Sequence, residues 1–157
     1  MLPHDTRAAI LDLLGEYVYA VDQDRLEDWV ELFTQDCLYK IVPKENLAAG
    51  LPAALLLLEG KDMLRDRVAY LRKAAVYNLH WDRHLISTVC IKEDQPGSYR
   101  SVTNFACYQS DLEGRSTLFC VGYYEDLIVT DAGQLRFKER LVVIETSSVQ
   151  TLLSTPL

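Results

Sequence analysis

The hydrophobic period of this chain changes once, near Arg83, from that of helices to that of strands, so the fold must put helices first and a sheet after them. Ile10, Leu13, Leu14, Tyr17, Val18 and Val21 recur at steps of three and four, which predicts a helix with one buried face. Asp24 is placed to cap a second, short helix, with Glu27 three residues on and Leu26, Trp29, Val30 and Phe33 as its apolar stripe. Cys37 to Val42 reads as a strand, and Leu64, Val68, Leu71 and Ala75 mark a third helix from about Lys61 to Ala75. Beyond Arg83, four β-branched and aromatic runs follow: Arg83 to Lys92, Tyr99 to Asp111, Arg115 to Asp131 and Leu135 to Thr146. Only short turn signals separate them, Asp94-Gln95-Pro96-Gly97, Glu113-Gly114 and Ala132-Gly133, so consecutive strands should pair antiparallel. The expectation is an α+β fold, a curved antiparallel sheet wrapped around three N-terminal helices into a cone. Gly122, inside the longest strand, is the expected bulge that would curl the sheet and open a pocket.

At 157 residues the chain suits a single domain, 1–157. Its formal charge of −7 repels phosphate backbones and anionic lipid, and no basic cluster exceeds the mixed run Arg136 to Arg140, so neither nucleic acid nor membrane is an expected partner. The longest apolar run, Leu47 to Leu58, contains Gly50 and Pro52 and falls short of the about 20 residues a bilayer requires. The N-terminus lacks a secretory pattern, which makes the cytoplasm the expected compartment. Cys37, Cys90, Cys107 and Cys120 are far apart in apolar surroundings and read as buried free thiols.

Pro43 to Gly60 follows neither period. Four consecutive leucines, Leu55 to Leu58, would be hard to hide in a loop, so another subunit covers part of this stretch, or a short core helix begins near Pro52. Tyr77, Trp81 and Arg83 belong to the residue types that anchor interfaces, and with Leu55 and Leu56 they form the candidate contact surface. His80 and His84 would suit a metal on a helix. On a strand they lie roughly 13 Å apart, beyond one ion's reach, and no other ligand set for a metal or iron–sulfur cluster is present. Tyr17, Asp22 and His84 could support proton transfer if they lined the mouth of the cone, with tyrosine as donor and the carboxylate or imidazole as base. Alternatively Tyr17 packs, Asp22 ends its helix and His84 is a hydrogen-bonded structural residue.

An ordered set of segments carries a family resemblance. It runs from Tyr17 to Trp29 through Leu32-Phe33-Thr34-Gln35-Asp36-Cys37-Leu38-Tyr39, Met63-Leu64-Arg65-Asp66-Arg67-Val68 and Arg83-His84-Leu85-Ile86. It continues with Gly122-Tyr123-Tyr124 and Leu135 to Arg140, and closes with Leu152-Leu153-Ser154-Thr155-Pro156-Leu157. In this the chain resembles the small (beta) subunit of aromatic-ring-hydroxylating dioxygenases, within the conical folds of nuclear transport factor 2 and ketosteroid isomerase. The resemblance implies a chain without cofactor or catalytic residue of its own. Its partner would be an alpha subunit holding a Rieske [2Fe–2S] cluster and a mononuclear Fe(II), in an α3β3 assembly built on a trimer of this chain. The subunits that it resembles serve aromatic acids. The strand before Pro43 reads Lys40-Ile41-Val42, without the carboxylate an isomerase of this fold would carry. A free-standing isomerase, dehydratase or ligand binder of the same fold is the alternative expectation.

Overall fold

The computed structural model describes residues 2–51, 53–74, 79–146, 153 and 155–157. Helix α1 (His4–Asp22) buries Ile10, Leu13, Leu14, Tyr17 and Val21 of the expected stripe, together with Ala20, while Val18 is only partly buried. A turn at Asp24, held at a φ of +55°, leads into α2 (Leu26–Glu31). The cap expected from Asp24 does not form: Arg25 holds the cap position, and the Asp24 carboxylate instead accepts from Arg72 Nη1 at 2.7 Å. Phe33, expected on α2, opens β1 (Phe33–Pro43), where it is fully buried.

The excursion from Pro43 to Gly60 resolves into α3 (Lys44–Ala48) and β2 (Leu56–Glu59), an edge strand antiparallel to β1. The alternative of a helix starting near Pro52 gives way because a strand here completes hydrogen bonds to the free edge of β1. Leu58 is buried, Leu56 packs partly against the core, and Leu55 and Leu57 stay exposed. Gly60, at a φ of +85°, turns the chain into α4 (Lys61–Lys73).

The remaining strands are β3 (Trp81–Gln95), β4 (Ser98–Ser110), β5 (Ser116–Asp131) and β6 (Gln134–Ile144). Among the described residues the sheet has six strands in the order β2-β1-β6-β5-β4-β3, so the long crossover brings β1 beside β6. That pair runs parallel and every other pair antiparallel. Positive φ at Ala132 and Gly133 forms the tight β5–β6 turn.

Gly122 is not a bulge. It pairs with Phe105 on one side and Ile144 on the other, and a Cβ there would collide with the Val143 carbonyl. Its glycine permits close backbone approach. Irregularities that redirect side chains lie elsewhere, among them one between Ser87 and Val89 on β3, one near Phe119 on β5 and one at Lys138 on β6. Each shifts the in/out alternation by one residue. Val89 and Ile91 therefore pack toward the core and Cys90 is exposed, correcting its expected burial, whereas Cys37, Cys107 and Cys120 are buried free thiols as expected.

Candidate functional site

The inner face of the sheet and α1 enclose an aromatic interior centred on Tyr17. Its ring meets Trp29, Phe33, Tyr124 and Phe137 edge-on, with centroids 5.6–6.5 Å away. Trp29 in turn lies 5.5 Å from Tyr39, and Phe105 stacks on Tyr124 at 4.5 Å. Edge-to-face and offset contacts of this kind suit rings whose faces are negative and edges positive.

Into these rings the bulge at Lys138 turns Arg140. Phe137 and Arg140, three apart, both face inward because one extra residue lies between them. The guanidinium carbon sits 3.8 Å from the centre of Tyr17 and 4.1–4.2 Å from those of Phe137 and Tyr124. Directly across from it, Asp126 accepts from Nε and Nη2, both at 2.7 Å, and Ser101 Oγ adds a bond to the same carboxylate at 3.3 Å. Burial disfavours the Arg140 cation, yet the adjacent Asp126 charge overrides it and raises the pKa. Nη1 makes no hydrogen bond among the described residues, nor do Trp29 Nε1, the Tyr124 hydroxyl and Thr103 Oγ1.

Asp22 and His84, 62 residues apart, do come together. Asp22 Oδ1 is 2.6 Å from His84 Nδ1, and its Oδ2 accepts from the His84 backbone N–H at 2.9 Å. With the carboxylate as acceptor, Nδ1 holds the ring proton and Nε2, buried near Phe105, has no hydrogen bond among the described residues. This pair ties the end of α1 to β3. Tyr17, the third expected member, joins a different group. Its hydroxyl donates to the Leu157 carbonyl oxygen, and Tyr39 donates to the same oxygen at 3.0 Å while accepting from the Leu157 N–H at 3.0 Å.

His80 faces Asp82 at 3.4 Å, and Thr155 donates to the other oxygen of Asp82 at 2.8 Å. Burial pushes the Asp82 pKa up, but His80 and Thr155 together hold it below the ordinary value. Among the described residues, no three His, Cys, Asp or Glu side chains are grouped to hold a metal ion. Burial also raises the Cys37 thiol to about 11 and Cys120 to about 12, far from a thiolate ligand at neutral pH.

The outer face of the same strands is apolar too. Trp81, Leu85, Tyr108 and Leu118 form a connected exposed strip, because Arg83 pairs with Tyr108 and Tyr108 with Leu118 while Trp81 and Leu85 flank Arg83 on β3. Arg83 itself is exposed. Of the expected contact residues, Trp81, Arg83 and Leu55 are accessible, Leu56 is half-buried, and Tyr77 lies outside the described residues. Leu85, Tyr108 and Leu118 escaped sequence reading because strand alternation does not say which face points outward, and only Tyr108 and Leu118 of the strip sit directly opposite each other.

Known proteins share both this fold and this sequence. The SnoaL-like domain family matches residues 4–141. The anthranilate 1,2-dioxygenase small subunit of Burkholderia cepacia is 41% identical over 92% of this chain and 90% of its own length. Subunit beta 1 of the terminal oxygenase component of terephthalate 1,2-dioxygenase from Comamonas is 33% identical over 90% and 92%. Among solved structures, the beta subunit of a protein assigned as an aromatic-ring-hydroxylating dioxygenase from Novosphingobium aromaticivorans superposes with a TM-score of 0.88 at 36% identity, covering 97% of both chains. With the inner face closed around its own side chains and sequence likeness running along nearly the whole length, the chain belongs to the SnoaL-like family and, within it, to the small subunits of aromatic-ring-hydroxylating dioxygenases.

Proposed function

We propose that this chain is the supporting, non-catalytic beta subunit of a cytoplasmic oxygenase acting on an aromatic acid. It forms a trimer that seats three alpha subunits, α3β3, and the Rieske cluster and mononuclear iron belong to those alpha subunits. The observation that carries this reading is the outer strip of Trp81, Leu85, Tyr108 and Leu118, each between 38% and 57% exposed. A contiguous apolar surface with an adjacent arginine is what a partner-bearing face requires. The donor set agrees: the described histidines are tied to carboxylates, and the buried thiols are held as neutral groups rather than gathered as ligands. The aromatic-acid substrate rests on the relatives named for anthranilate and terephthalate.

Asp22 with His84 keeps the alternative of a free-standing enzyme in view, since a carboxylate-oriented imidazole can move protons. Against it, the imidazole is enclosed and Tyr17 is committed to Leu157. Co-expression with the large subunit decides between them. The expected result is a complex with the mass of three copies of each chain. A chain that stays a monomer of 17.9 kDa, alone and with the large subunit, overturns the supporting role.

A further inference from the structure

Cys107 on β4 and Cys120 on β5 are directly opposed cross-strand partners, and both are fully buried free thiols. The irregularity on β5 makes them so. Leu118 is exposed on the outer face, and strict alternation from it would turn Cys120 outward as well; the extra residue at Phe119 brings Phe119 and Cys120 both inside. Opposed residues of an antiparallel pair have Cα atoms about 4.5–5.5 Å apart, whether or not they exchange hydrogen bonds. A disulfide requires about 4.4–6.8 Å, so the backbone already holds the separation that a bridge needs. Burial, and after it the Asp82 carboxylate, pushes both thiols up, so in the closed sheet they are neutral and unreactive. Their place in the hairpin supplies access. Between them and the turn at residues 111–115 lie three further pairs, Tyr108 with Leu118, Gln109 with Thr117 and Ser110 with Ser116, and the bulge interrupts the ladder at this point. The end of a hairpin opens locally at small cost, and a thiol exposed in that way regains an ordinary pKa.

We propose that Cys107 and Cys120 form a reversible redox staple, open as two thiols under reducing conditions and closed as a disulfide by a small-molecule disulfide such as oxidised glutathione. The thiolate of one frayed cysteine attacks the glutathione disulfide, which forms a mixed disulfide and releases one glutathione. The opposed cysteine, as thiolate, attacks the protein sulfur of that mixed disulfide and displaces the second glutathione. Two protein thiols are thereby oxidised, one glutathione disulfide is reduced to two thiols, and the two protons pass to the released glutathione. Once closed, the bridge ties β4 to β5 beside Tyr108 and Leu118 and stops fraying at Cys107. The staple does not depend on the assembly proposed above.

The test uses the full chain carrying Cys90→Ser, which removes the exposed thiol. Folded protein is incubated with excess oxidised glutathione, remaining thiols are blocked in denaturant, and the chain is cut with trypsin. Cleavage at Arg100, Arg115 and Arg136 leaves Cys107 on residues 101–115 and Cys120 on residues 116–136, so the two peptides stay together only through the bridge. The expected product is that linked pair, two hydrogens lighter than its parts and separated by dithiothreitol. The oxidised chain should melt at least about 5 °C higher than the reduced one, because the bridge closes a loop in the unfolded chain. Adding Cys107→Ala should abolish the rise. A second sample is refolded from urea in the same buffer, which gives the pair access without fraying. Glutathione left on either cysteine, linkage to Cys37, or two free thiols after refolding overturns the proposal. Closure on refolding alone, with none in the folded chain, overturns the switch. A linked chain that melts no higher, or a rise that persists in Cys107→Ala, overturns the staple.

Discussion

On the inner face of β3, β4 and β5, His84, Phe105, Cys107 and Cys120 are 0–5% exposed, whereas on the outer face of the same strands Trp81, Leu85, Tyr108 and Leu118 are 38–57% exposed. Both faces are rich in apolar side chains, yet only the inner one is covered by this chain's own helices. Apolar burial against helices drives folding, while the apolar surface left wet on the other side is the face proposed above for association. The inner face keeps its charges buried and paired, as at Asp22, Asp82, Asp126 and Arg140, whereas the outer face of these strands carries its charges exposed, as at Arg83, Arg100 and Glu125. A buried charge is tolerated only with its partner in place, so the two faces should respond to substitution in opposite ways.

The largest expected effect is at Asp126. Asp126→Ala leaves the Arg140 guanidinium among three rings without its counter-charge and should cost about 3–5 kcal/mol in urea unfolding. Pairing Asp126→Leu with Arg140→Met should recover most of that loss; a single-variant cost under about 1 kcal/mol would break the contrast between the faces.

Asp22→Asn comes next. It weakens a charge-assisted bond to His84 and should destabilise by about 1–2 kcal/mol. Oxygenase turnover, measured in a complex of unchanged mass, should change less than about threefold. A loss near 100-fold would instead make the inner face catalytic.

A smaller effect is expected at the edge of the helical layer, where Glu27 accepts from Arg72 Nε at 3.0 Å and joins α2 to α4. The hydrogen bond to Arg72 holds the Glu27 carboxyl down at about 2. Because the folded value lies below the unfolded one, the stabilisation is present above about pH 4.3 and fades as pH falls toward 2. The carboxylate is two-thirds exposed, so the pair should contribute less than about 1 kcal/mol. Arg72→Met should flatten the acid limb of the stability profile across that window.

The smallest change in stability, and the sharpest in assembly, is expected on the outer face. Trp81→Asp with Leu118→Asp should leave the isolated chain within about 0.5 kcal/mol of the parent. The same pair should reduce the mass of the complex in light scattering. A stability loss with unchanged mass would assign the strip to packing within the chain.

Element type was legible where periodicity was strong. The stripe of α1, the start of α4 and the four long strands follow from residue spacing, because burying one face of a helix or strand dictates that spacing locally. The turn at Ala132-Gly133 was legible for the same local reason. Phe33 was misplaced because a one-residue step from α2 into β1 leaves apolar residues that satisfy either period. Leu55 to Leu58 was ambiguous because an edge strand exists only if a distant strand offers it an edge.

Of the candidate site, the sequence could supply the residue types Tyr17, Asp22 and His84 and no more. Tertiary structure decided that Asp22 meets His84 across 62 positions while Tyr17 meets Leu157 across 140. It also decided, through bulges invisible to composition, that Arg140 turns in beside Asp126 and Cys90 turns out. The physical reason is parity: a single extra residue reverses every side chain beyond it, and whether the sheet accepts that residue depends on pairing with strands far away in sequence. Local spacing therefore determined where this chain would make helices and where it would make its long strands, and long-range register alone decided which of its charges are inside and which of its apolar residues remain exposed on the outer face.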